Sequence, residues 1–81
     1  MVITDEEIER EFKGKNFGSI DTVAKRRKYL AQAVLQTQAG FEKGSTLTMI
    51  MFRLNLIGVQ KGSLTKTGQM FLYDEFKEKI S

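Results

Sequence analysis

The sequence predicts a mainly α-helical fold, a compact four-helix unit with one short β-hairpin near residues 57–65. Three observations carry that expectation. Apolar residues recur at helical spacing in four stretches, glycine-bounded turns separate the stretches, and the sequence contains no proline. Its 81 residues suit a single domain spanning 1–81, with no repeat, low-complexity run or linker to divide it. A chain of this size buries about 60–65% of its unfolded surface, so every buried aromatic counts.

The first helix is expected over residues 5–13. Thr4 and Glu7 have the spacing of a capping box, and Ile3 and Ile8 that of a hydrophobic staple. Asp5, Glu6 and Glu7 suit the positive end of the helix dipole, Ile8 and Phe12 share a side, and Gly14 is the stop. Phe17 anchors the turn that follows. The second helix is expected over 21–38, with Val23, Leu30, Ala31, Val34 and Leu35 in phase and Ile20 and Phe41 sealing its ends. Its first half carries Lys25, Arg26, Arg27 and Lys28, nearer the positive end of the dipole, so the dipole does not explain them.

Gly40 and Gly44 bound a connector, after which Ser45 or Thr46 is expected to cap a third helix over 45–56. Leu47, Ile50, Met51, Leu54 and Ile57 form its core stripe, yet Met49, Phe52 and Leu56 lie off that stripe. A helix apolar nearly all round is either central to a core or keeps a second apolar face for a partner. Gly58 and Gly62 bracket the hairpin. The fourth helix is expected over 66–79, capped by Thr65, with Leu72, Tyr73, Phe76 and Ile80 as its buried stripe. Tyr29 and Tyr73 read as half-buried core edges.

The order from Leu54-Asn55-Leu56-Ile57-Gly58 through Leu64-Thr65-Lys66-Thr67-Gly68 to Leu72 resembles the end of winged-helix domains, over about residues 45–76. There a recognition helix ends in a similar turn, a β-wing follows, and an LT-x-x-G segment opens the last helix. The resemblance implies a helix-turn-helix variant that binds double-stranded DNA. The chain also resembles small phage- or prophage-encoded accessory proteins. Physically, Leu64 closes the wing onto the core, Thr65 caps the helix and Gly68 permits a close approach.

Composition narrows the chemistry. Without Cys or His there is no disulfide, thiolate or imidazole metal site and no Ser-His triad, so an enzyme is not expected and no cofactor or metal is implied. Residues 40–46 lack the P-loop Lys directly after the second glycine and no βαβ unit surrounds them. The clustered acids Glu6, Glu7, Glu9 and Glu11 suit a solvated helix start. No apolar run exceeds four residues, so no membrane span is expected, and the acidic N-terminus lacks a secretory pattern. A cytoplasmic protein is the expectation.

Charge supplies the functional hint. Net charge is only +3, but residues 13–72 hold ten basic and two acidic side chains, between acidic ends. Such asymmetry suits a polyanion. On that reading Ser45, Thr46, Thr48 and Arg53 approach the major groove, and Lys25, Arg26, Arg27, Lys28, Lys43 and Lys61 touch phosphate, in a regulator acting as a dimer. The same run equally suits a solvated face with Arg26 or Arg27 paired to acids of the first or last helix, and one of the hydroxyls equally suits a simple cap. The alternative function is a protein–protein interaction module that binds and inhibits or redirects a host protein. Met49 and Phe52, with Phe71, would then be the contact, unless the small core needs them all.

Overall fold

The computed structural model describes residues 3–41, 44–58 and 63–80, and the chain is mainly helical. Helix α1 spans Asp5–Phe12. Its capping box forms as spaced: Thr4 Oγ1 accepts from the Glu7 N–H at 3.2 Å, and the Glu7 carboxylate accepts from the Thr4 N–H at 3.3 Å. Ile3 and Ile8, on either side of that cap, are both buried. Gly14, at φ 77°, then turns the chain out of the helix, in a conformation that a side chain would oppose.

Helix α2 spans Val23–Gln38 and starts later than expected, because Thr22 is the N-cap and accepts from the Lys25 N–H at 3.2 Å. It ends in a Schellman motif. The Gly40 N–H donates to Thr37 O at 3.0 Å and the Phe41 N–H to Gln36 O at 2.9 Å, with Gly40 left-handed. That turn carries Phe41 out into solvent, so it does not seal the helix.

Helix α3 spans Ser45–Arg53. Gly44, rather than Ser45 or Thr46, occupies the N-cap, and no side chain caps it. The helix stops short of the expected Leu56 because Asn55 adopts φ 59°, which Asn tolerates better than most residues. The Asn55 N–H donates to Phe52 O and the Leu56 N–H to Met51 O, both at 2.9 Å, a second Schellman motif. The reversal brings Leu56 into the core although it lies off the helical stripe.

The expected β-hairpin wing is corrected: the described residues contain no strand. Ile57 and Leu64 form one isolated antiparallel bridge, supported by Gly58 N–H donating to Ser63 O at 3.0 Å. The Asn55–Leu56 turn on one side and the Thr65 cap on the other leave the ladder no room to lengthen towards the helices. The expected tip, residues 59–62, lies outside the described residues.

Helix α4 spans Lys66–Ile80. Thr65 Oγ1 accepts from the Gly68 N–H at 2.9 Å and donates to Asn55 O at 2.5 Å, so one side chain caps α4 and ties it to the end of α3. At Gly68 any Cβ would fall on the Leu56 carbonyl oxygen, so only glycine fits. That approach sets the rotation of α4. Phe71, one turn on from Gly68, is 1% exposed and Tyr73 is 67% exposed, which corrects the expected stripe. Leu72 and Phe76 are half-buried, and the Ile80 side chain lies outside the described residues.

Helix α2 packs against α1, α3 and α4 and forms the centre. Leu30, Ala31, Ala33 and Val34 meet Ile8 and Phe12 of α1, the α3 stripe and Phe71 in one core. All five residues of the α3 stripe, Leu47 to Ile57, are buried as their spacing implies. Phe17 is the anchor of its turn, its ring 5.2 Å from Phe12 and 5.6 Å from Tyr29 in tilted contacts.

Candidate interaction surfaces

Successive residues of a helix point about 100° apart, so Lys25, Arg26, Arg27 and Lys28 meet four different surroundings. Arg27 is buried. Its Nη2 donates to Ile3 O at 2.6 Å and to Asp5 Oδ1 at 2.8 Å, and its Nη1 to Glu75 Oε2 at 2.9 Å. Its guanidinium also lies 5.9 Å from the Phe71 ring centroid. It is a clamp joining α2 to the start of α1 and to α4, and is not available to phosphate.

Arg26 is half-buried, 5.7 Å over the Phe12 ring, with Glu9 at 3.8 Å and the Ile20 carbonyl accepting from its Nε. Lys25 is exposed but bonded to Asp21 and the Ser19 carbonyl, both at 3.4 Å. Lys28 is exposed and has no ion pair among the described residues. Acids of the first and last helices therefore take up the two arginines, one of the two arrangements the sequence allowed.

Arg53 is paired too, although its side chain stays exposed. Its Nε donates to Glu11 Oε1 at 2.7 Å, and Glu11 is a buried carboxylate. Ser45 and Thr46 are exposed and Thr48 is half-buried. Lys43 and Lys61 lie outside the described residues. The basic run sits at the α1 end of α2, whereas α3 meets α2 near its other end, where Thr37 Oγ1 lies 3.8 Å from Met51 Sδ. From Lys28 to Gln38 the axis runs on for about 15 Å. Lys25 to Lys28 thus stand at the far end of α2 from its contact with Met51 of α3.

What α3 does expose is apolar. Met49 is 57% and Phe52 42% exposed, three residues apart and so on adjacent turns of one face. Phe71, the third member of the expected patch, is buried in the core. Sequence reasoning anticipated acids of the first or last helix as partners for Arg26 or Arg27 without singling out Glu75, and missed Glu11 as the partner of Arg53. Glu11 stands three residues after Ile8 and next to Phe12, so its place on the buried face was legible from spacing. Glu75 carried no such signal, because its role depends on the rotation of α4.

Among the described residues no helix is long and apolar enough to cross a membrane, and no group of three or more acidic side chains could hold a metal ion. No protein-family model matches this chain, and neither a curated protein nor a solved structure matches it significantly.

Proposed function

We propose that this chain is a protein-binding module whose contact is the exposed face of α3, centred on Met49 and Phe52. One observation carries the reading: α3 offers solvent two large apolar side chains on one face, while its only arginine is engaged by Glu11. Exposed aromatic and methionine side chains supply contact area on association, and Met adapts to varied partners. The winged-helix resemblance is part of this proposal, with the counterpart of the recognition helix facing a protein.

The DNA-binding reading draws on the positive surplus of residues 13–72 and on that same resemblance. It is the weaker of the two, because Arg26, Arg27 and Arg53 are paired internally and the basic run lies away from the contact of α2 with Met51 of α3. The test is affinity capture with the intact chain and Phe52→Asp, with helicity monitored by circular dichroism, beside a gel shift on mixed duplexes at low salt. The expected result is a specific partner lost on Phe52→Asp and no duplex shift at micromolar protein. Capture that ignores Phe52→Asp overturns the reading. A salt-sensitive shift abolished by Lys28→Glu would return the function to DNA.

A further inference from the structure

We propose that the open groove between α1 and the start of α2 is a docking site for an acidic peptide segment of a partner protein. The groove, about 820 Å³, has Val23 and Phe12 as its apolar lining, with Arg26 beside them. Arg10, Lys13 and Lys15 line it at the C-terminal end of α1, and none of their side chains has an ion pair or hydrogen bond among the described residues. Three acids line it too. Asp5 is held by Arg27 and Glu9 lies 3.8 Å from Arg26, which leaves Glu6, at the other end, uncompensated. The positive charge open to a ligand is therefore gathered at one end.

That distribution selects the ligand. A carboxylate-bearing segment can set its acids over Arg10, Lys13 and Lys15, an apolar side chain over Val23, and a neutral or basic residue beside Glu6. From Glu6 to Lys13 the helix runs about 10 Å, the length of three extended residues. A nucleic-acid backbone, charged at every unit, would drive phosphates against Glu6. None of these residues belongs to the Met49–Phe52 face, so the two proposals fail separately.

The experiment is fluorescence anisotropy of a labelled Glu-rich peptide with one central leucine, titrated with the intact chain. We expect saturable binding in low salt that weakens about tenfold when salt rises from about 20 to about 200 mM. Lys13→Glu/Lys15→Glu should weaken it by a similar factor, while Lys28→Glu and Phe52→Asp leave it unchanged. The fold survives these changes, because Lys13 and Lys15 are exposed; unaltered thermal melting checks this. No binding at millimolar protein overturns the proposal, as does equal weakening by Lys28→Glu, the sign of non-specific charge. Tighter binding of a single-stranded oligonucleotide of matched charge, with the same dependence on Lys13 and Lys15, overturns it in favour of nucleic acid.

Discussion

Replacing Arg27 with Met keeps an unbranched apolar stem, shorter than that of Arg, and removes the charge and the donors. The Glu75 carboxylate, 19% exposed, and the Ile3 carbonyl are then left without the partners that Nη1 and Nη2 supply at 2.9 and 2.6 Å. The Asp5 contact matters less, since its side chain is 59% exposed and water replaces the guanidinium. Breaking a buried pair from one side costs about 3–5 kcal/mol, and the partial exposure of Glu75 places the expected loss near the lower end, about 3 kcal/mol. A domain of this size is stable by about 4–12 kcal/mol in total. The melting temperature should accordingly fall by about 12–24 °C, followed by circular dichroism. Double-mutant cycles localise the effect: coupling of Arg27 to Glu75 should exceed about 1 kcal/mol and coupling to Asp5 should fall below it. A fall of only a few degrees for Arg27→Met, or equal coupling to the two acids, would refute the reasoning.

Two further outcomes follow from the packing. Gly68→Ala would normally gain about 1 kcal/mol of helix propensity, but its methyl would collide with the Leu56 backbone carbonyl, so chemical denaturation should show a net loss of about 1–3 kcal/mol. Arg53→Ala strands the buried Glu11 carboxylate; the exposure of Arg53 limits the loss to about 1–2 kcal/mol in urea, and Glu11→Leu, which removes the charge from the buried side, should cost less.

Much of the local chemistry was legible, although the caps of α2 and α3 fell elsewhere than expected. The Thr4–Glu7 capping box, the stop at Gly14, the Thr65 cap and the α3 stripe all depend on residues close to one another in sequence, and all are found. The rotation of α4 was not legible. Its apolar residues do not fall on a single stripe, and the contact of Gly68 with Leu56, distant in sequence, chose Phe71 over Tyr73 for the core. The early end of α3 turned on Asn55 entering a left-handed conformation, which single-residue propensities permit without requiring.

The site divides in the same way. Sequence alone determined that a basic run exists, that α3 carries more apolar side chains than one face can bury, and that thiol and imidazole chemistry are absent. Only tertiary structure decided which charges remain available. Asp5, Glu9, Glu11 and Glu75 reach Arg27, Arg26 and Arg53 across helix boundaries, so cations adjacent in sequence are neutralised by acids remote in it. Charge acts through space and composition is counted along the chain, which is why, among the described residues, cations without an ion pair stand also at the end of α1, where no run of basic residues marks them.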